Sequence, residues 1–188
     1  MPDPYQNLPV AVRRWLMVLV SLAAIVIMIV FGWLGAPLTT PAAPLGMVSF
    51  QLARTPQQWQ AILASWEART QLIAAFCLGA DYLFMPVYAL AITLADRWAG
   101  QALRQRGWPL ASLGVPLVWG VWLAALLDAV ENAGQTALLL GNVHPSLPGF
   151  IWIVAVLKYA LVFIGLTYAF FGVAAWLVSG ANARSSPA

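Results

Sequence analysis

The chain has 188 residues, of which 62% are hydrophobic and 8% are charged, and its formal net charge is +3. Soluble domains carry about 25% charged residues, so this composition excludes an ordinary soluble protein and is typical of an integral membrane protein. The small net charge, without a basic cluster, argues against nucleic-acid binding. The single cysteine, Cys77, excludes an internal disulfide, and the single histidine, His144, excludes a histidine-based zinc site or catalytic triad.

Four segments are long and apolar enough to cross a bilayer, which requires about 20 residues of helix. They cover residues 15–34, 72–95, 110–140 and 150–178. The first could be mistaken for a signal peptide, but its apolar run is too long for one, so we interpret it as a span. The predicted fold is therefore all-α: a polytopic four-helix transmembrane bundle, formed as a single domain over residues 1–188.

The connection after the first span has two predicted parts. Residues 35–47 are rich in proline and small residues, which predicts irregular structure. A helix over 56–69 is then predicted, with Thr55 as N-cap, Pro56 at the first helical position and Gln58 completing a capping box. Its apolar residues recur with helical spacing, which predicts an amphipathic helix lying on the outer membrane surface. These residues are Trp59, Ile62, Leu63 and Trp66.

The arginines predict the orientation, because short cytoplasmic loops carry an excess of basic residues. With a cytoplasmic N-terminus, the inner side holds most of them, and only Arg54 and Arg69 lie outside. The inner group is Arg13, Arg14, Arg97, Arg104, Arg106 and Arg184. We therefore expect both termini in the cytoplasm and the bundle in a bacterial inner membrane.

The second span contains the sequence DYLFMPVYA, which begins at Asp81 and places Tyr82 and Tyr88 near that acid. Pro86 removes a backbone hydrogen bond and so leaves the Tyr82 carbonyl free, in an ordinary kink or in contact with a ligand. Asp81 lies about ten residues below the outer end of the span, well inside the hydrocarbon at 1.5 Å per residue.

The third span carries four polar residues on one face. Asp128, Glu131, Asn132 and Gln135 are spaced at i, i+3, i+4 and i+7, so they project from the same side of a helix. The fourth span carries Lys158. All these levels lie roughly 12 to 20 Å below the outer surface.

Each charged group at a helix centre costs on the order of 3 kcal/mol on insertion scales, or about 12 kcal/mol for four. We therefore expect Asp81, Asp128, Glu131 and Lys158 to meet in one pocket in the outer half of the bundle, where they are the candidate catalytic residues. Three acids face one lysine, so we expect either that one acid holds a proton near neutral pH or that a cation supplies the missing charge.

Further polar and aromatic residues are predicted to bind a ligand in this pocket. Acids beside aromatic rings suit a quaternary ammonium group. The predicted ligand-binding set is Asn132, Gln135, Tyr82, Tyr88, Trp122, Trp152 and Tyr159. Oxygen ligands for a hard cation are present, but Lys158 argues against a metal site, and no cofactor-binding motif occurs.

The layout resembles the EXPERA group, which includes sterol isomerases and a sterol-binding receptor. Four spans, a short amphipathic helix after the first, and the stretch DYLFMPVYA with its acid and proline carry the likeness. The local match covers about a twentieth of the chain, and the first span lacks the acidic residue found in some members. The resemblance implies a hydrophobic ligand, and no functional residue is carried over from it.

The leading hypothesis is a membrane protein whose acid-rich pocket binds or processes a lipid-like or cationic amphiphilic molecule. If it is an enzyme, the carboxylates are expected to act as acid and base in an isomerase-like reaction. A second hypothesis is a small proton- or cation-coupled transporter acting as a homo-oligomer. A third is a structural membrane subunit that binds a partner helix.

Overall fold

The computed structural model describes residues 2–142 and 144–184, and no β-strand occurs in this part of the chain. Four of its helices are long and apolar enough to cross a membrane, which confirms the predicted all-α fold with four helices of this kind. Val143, residues 185–188 and the side chain of Arg184, which contributes to the predicted orientation, lie outside the described residues. The helices are α1 (Val10–Leu34), α2 (Met47–Gln51), α3 (Pro56–Ala64), α4 (Ala68–Gln105), α5 (Gly114–Leu139) and α6 (Leu147–Arg184).

Three of the long helices, α4, α5 and α6, pack against one another, whereas α1 packs mainly against α4. Only Ala24 of α1 is buried, and most of the other side chains of this helix are exposed on the surface of the bundle. We call the end of the bundle where α1 begins the basic end, because Arg13, Arg14 and Arg97 lie there, and the opposite end, covered by α2 and α3, the cap end.

Small residues bring the helices closest together at the basic end. A Cβ atom added to Gly172 of α6 would lie 2.3 Å from the Cβ of Ala99 on α4. One added to Gly100 would lie 3.2 Å from the Cα of Gly114 and 3.2 Å from the Tyr168 hydroxyl. At these contacts α4 packs directly against the backbone of α6 and of the start of α5, with no space for a larger side chain between them.

The cap is built around α3. The side chain of Thr55 accepts a hydrogen bond from the Gln58 N–H at 3.2 Å, as the N-cap prediction requires. The helix ends at Ala64, earlier than predicted, because the chain turns before α4 begins at Ala68. Its apolar face packs on protein, in a core cluster with Phe50 and Leu38; the buried residues it contributes are Trp59 and Ile62, joined by Trp66 after the helix.

The α4 helix is longer than the predicted second span, and it continues through Pro86 to Gln105 without interruption. The segment before α1 folds back against it. The Tyr5 hydroxyl forms a hydrogen bond of 2.7 Å with Thr93 and accepts one of 3.1 Å from the Trp122 indole. The Trp122 indole N–H therefore points toward the N-terminal segment and already has a hydrogen-bond acceptor there.

Candidate functional site

The centre of the candidate site is a buried cluster of one lysine and two acids. The Nζ atom of Lys158 on α6 lies 2.8 Å from Asp128 Oδ1 and 2.6 Å from Glu131 Oε2, both on α5. The contact with Asp128 is a directed hydrogen bond, whereas the contact with Glu131 is an ion pair without hydrogen-bond geometry. Lys158 and Asp128 are each 4% exposed and Glu131 is fully buried, so this cluster lies in the interior of the bundle.

Neighbouring polar side chains complete the cluster, as helical spacing predicts. Asp128 Oδ2 accepts a hydrogen bond of 3.0 Å from the Tyr88 hydroxyl, and Glu131 Oε1 accepts one of 2.7 Å from the Gln135 amide. Each of the two acids therefore has a partner on both oxygens. These contacts fix the rotamers of both acids and leave them little freedom to turn toward a ligand.

Asp81 is differently placed. Its Oδ2 accepts a hydrogen bond of 2.8 Å from Asn132 Nδ2, which also donates to the Leu78 carbonyl at 3.3 Å. Within the described ranges, no basic side chain lies within ion-pair distance of Asp81. Asp81 is also only partly buried. Of the three predicted acids it is the accessible one, and its charge is not matched by a neighbouring cation.

Asp81 borders a cavity of about 470 Å³ between α1, α4 and α6, which we call the lateral cavity. The gap arises because α1 packs on α4 and leaves α6 largely uncovered on this side. The polar residues Gln51, Asp81 and Lys158 lie toward the cap end of the cavity, and Tyr88 and Asp128 lie deeper. Its apolar walls continue toward the basic end along Phe84, Ala91, Ile92, Ala95, Val162 and Leu166, with Ile25 and Met28 of α1 opposite.

A second cavity, of about 350 Å³, lies under the cap, and we call it the cap cavity. Asp81, Asn132 and Gln51 line it together with backbone and side chains of residues 31–48. Gln51 also lines the lateral cavity and accepts a hydrogen bond from the Tyr159 hydroxyl. Asp81 and Gln51 therefore stand where the two cavities approach each other, and Asp81 can be reached from either.

The predicted aromatic residues do not form one cage. Tyr88 and Tyr159 line the lateral cavity, and the ring of Phe84, one helical turn before Tyr88, lies 5.3 Å from the Tyr88 ring. The Tyr159 ring already has a cation near it, since Lys158 Nζ lies 4.7 Å from its centre.

The other three predicted aromatics lie elsewhere. Tyr82 is exposed and donates a hydrogen bond of 3.1 Å to the Ala129 carbonyl. The Trp152 ring lies 4.1 Å below the Arg54 guanidinium carbon, outside both cavities. Trp122 contacts the N-terminal segment, as described above. Sequence position alone does not separate these three from Tyr88 and Tyr159.

Two polar residues near these cavities were not predicted from the sequence. Gln51 is supplied by α2, whose position depends on the path of the whole cap. Asp96 is fully buried on α4, with no hydrogen-bond partner on either carboxylate oxygen within the part of the chain that the structure describes. It lies one turn beyond Ile92, a residue of the lateral cavity wall, and the helical spacing from Tyr88 to Asp96 is the signal that could have found it.

The acids of the site outnumber its cations. If Asp81, Asp128 and Glu131 are all ionised, one lysine leaves two negative charges unmatched among the described residues. Across residues 2–142 and 144–184, no group of three histidine, cysteine or acidic side chains converges closely enough to hold a metal ion. A monovalent cationic group beside Asp81 would offset part of the imbalance.

Comparison with family models, with curated proteins and with solved structures gives no match to this chain. The resemblance to the EXPERA group is a likeness of layout alone.

Proposed function

We propose that this protein is an integral membrane protein that binds a cationic amphiphile or a lipid-like molecule with a cationic head group in the lateral cavity. The observation that carries the proposal is Asp81: a partly buried acid with no ion-pair partner among the described residues, at the polar end of an otherwise apolar cavity. A cavity of about 470 Å³ falls within the range of roughly 300–1,000 Å³ typical of small-molecule sites.

The proposed orientation of the ligand follows from the lining of the cavity. The wall formed by α4 runs from Asp81 to Ala95, which is about 21 Å at 1.5 Å per residue. A cationic head beside Asp81, near Tyr88 and Phe84, would gain both charge pairing and contact with aromatic faces. The tail would then lie along Ile92 and Ala95, with entry from the bilayer between α1 and α6.

The buried cluster of Asp128, Glu131 and Lys158 then supports binding indirectly, without contacting the head group. Lys158 neutralises one of the two buried acids and leaves the surroundings of Asp81 with an excess of negative charge, which favours a cation over an anion. If the bound molecule is also transformed, Asp81 is the acid that can reach it for proton transfer, while Asp128 faces the same cavity beside Tyr88.

The proposed setting is a bacterial inner membrane with both termini in the cytoplasm. The support is the concentration of arginines at the basic end and the presence of only Arg54 and Arg69 at the cap end. In this orientation the cap covers the outer end of the bundle, and the head-group position lies in the outer half of the membrane.

Binding of a matched pair of probes tests the proposal. Dodecyltrimethylammonium and its uncharged analogue with a quaternary carbon in place of nitrogen have the same shape and differ in charge. Titration calorimetry in nanodiscs of zwitterionic lipid, with protein-free discs subtracted, measures both. The variants are Asp81→Asn and, as a matched control, Glu67→Gln, which removes an exposed acid outside both cavities.

We expect the cation to bind Asp81→Asn about 30-fold more weakly than wild type, since losing one member of a desolvated charge pair costs at least about 2 kcal/mol. Glu67→Gln is expected to behave as wild type, and the uncharged analogue to bind all three proteins alike. Equal binding of the two probes to the wild type, or unchanged binding of the cation to Asp81→Asn, would refute the proposal.

A second candidate function, a small proton- or cation-coupled carrier acting as an oligomer, is favoured by Asp96. This buried acid lies 15 residues beyond Asp81 on α4, about 22 Å along the helix, so acids stand near both ends of the lateral cavity. A carrier would take up dodecyltrimethylammonium into liposomes when a pH gradient is applied, and Asp96→Asn would lose uptake but keep binding. Absence of uptake by the wild type would remove this candidate.

A further inference from the structure

A third cavity, of about 460 Å³, lies at the basic end and shares no lining residue with the lateral cavity. It is bounded by the beginning of α1, by α4 from Leu94 to Gln101, and by Trp176 of α6. Three arginines line it: Arg13 and Arg14 from α1, and Arg97 from α4. The proposed ligand site near Asp81 does not use this cavity.

The charge of this basic cavity is not balanced by protein groups. Asp3 forms an ion pair with Arg97. Across the described ranges no carboxylate lies within ion-pair distance of Arg13 or Arg14, which leaves two positive charges unmatched. The first turn of α1 adds to this charge, because it contains no acidic residue and has no side-chain cap, so the positive end of the helix dipole is uncompensated.

The apolar and aromatic residues that line the rest of this cavity favour a lipid over a soluble anion as its ligand. Met17 and Leu94 extend the cavity toward the middle of the helices with apolar surface, and Trp98 and Trp176 flank it with indole rings. Tryptophan at the end of an apolar helix is typical of the level of lipid head groups. The cavity therefore combines an anion site with an adjoining apolar surface on which acyl chains can lie.

We propose that this cavity binds the phosphate group of an anionic phospholipid from the leaflet at the basic end. Arg13 and Arg14 pair with the phosphate, and Gln101 is placed to hydrogen-bond the polar part of the head group. The acyl chains lie along Met17 and Leu94. The proposal does not depend on the function assigned to the lateral cavity.

The test uses the purified full chain and two lipids with the same acyl chains, phosphatidylglycerol and phosphatidylcholine. Native mass spectrometry of protein equilibrated with an equimolar mixture reports which lipid stays bound. The double variant Arg13→Gln with Arg14→Gln removes the unpaired charges. The matched control, Arg104→Gln with Arg106→Gln, removes two arginines from the same end of the molecule but outside this cavity.

We expect the wild type to retain the anionic lipid over the zwitterionic one. An arginine near a lipid surface contributes about fivefold, so the double variant should lose about 25-fold of this preference. The control should keep the wild-type preference within about twofold, since it leaves the cavity intact. The single variants Arg13→Gln and Arg14→Gln, each with a loss of about fivefold, serve if the double variant fails to fold.

Three results would overturn the proposal. Equal retention of the two lipids by the wild type would mean that the cavity has no preference for an anionic head group. Equal losses in the double variant and in the Arg104 and Arg106 control would show unspecific attraction to the basic end. Displacement of the lipid by inorganic phosphate, beyond that caused by sodium chloride at the same ionic strength, would identify a soluble phosphate ligand instead.

Discussion

Replacement of Lys158 by methionine tests the buried ion cluster most directly. Methionine has nearly the length of lysine and no charge, so the change removes the group that lies 2.8 Å from Asp128 and 2.6 Å from Glu131 and leaves the packing largely intact. Two acids one helical turn apart would then face each other without a cation. Breaking a buried ion pair by removing one partner costs about 3–5 kcal/mol, because the remaining charge is uncompensated.

For a chain of this size, 1 kcal/mol corresponds to about 2–4 °C in melting temperature, so Lys158→Met should melt between about 6 and 20 °C below the wild type. Thermal unfolding in detergent, followed by circular dichroism, measures the change. Arg69→Met is the matched control, because Arg69 is exposed and has no ion-pair partner among the described residues, and it should shift the melting temperature little.

A triple variant separates charge from packing. Lys158→Met combined with Asp128→Asn and Glu131→Gln neutralises the whole cluster while keeping its shape, and the Tyr88 hydroxyl can still donate to the carbonyl oxygen of the amide that replaces the Asp128 carboxylate. Replacing a complete buried ion cluster by neutral groups is often close to neutral, so most of the lost stability should return. A single variant as stable as wild type, or a triple variant no more stable than the single one, would refute the electrostatic explanation.

Two further predictions concern α4 and its neighbours. In alkaline buffer, where the Asp96 carboxyl is ionised, Asp96→Asn should raise the melting temperature by a few degrees, about 1 kcal/mol, because the charge it removes has no partner on either oxygen among the described residues; a decrease measured in the same unfolding assay would show that Asp96 has an essential contact. Gly172→Ala should cost about 1–3 kcal/mol, since its Cβ would lie 2.3 Å from that of Ala99. Gly79→Ala, where a Cβ meets no atom within 4 Å, is the control and should be neutral or stabilising, and equal effects would refute the packing argument.

The polar face of α5 was predictable because it depends on one repeating angle. Asp128, Glu131, Asn132 and Gln135 follow helical spacing, and an apolar surrounding forces them to face protein. Lys158 could be assigned to the same layer by counting residues from the end of its span. Local periodicity and the cost of burying a charge were sufficient for this part of the site.

The positions of the other residues of the site depend on contacts between distant segments, which no local sequence pattern predicts. Asp96 lies one residue beyond the predicted end of the second span at residue 95, whereas α4 continues to Gln105. Gln51 reaches the site through a chain reversal in the cap. Trp122 does not line the lateral cavity, and its indole N–H donates instead to Tyr5 of the N-terminal segment. Tertiary contacts therefore determine where Gln51 and Trp122 lie relative to the cavities.

The close crossing at Gly172 and Ala99 has a consequence for how the bundle can move. Helices joined backbone to backbone at one end cannot separate there without losing contacts along both chains. The Tyr168 hydroxyl, which donates to the Leu110 carbonyl at 3.0 Å, ties α6 to the start of α5 at the same level. A separation of α4 and α6 that admits a ligand is therefore smallest at this crossing and largest toward the cap end of the bundle.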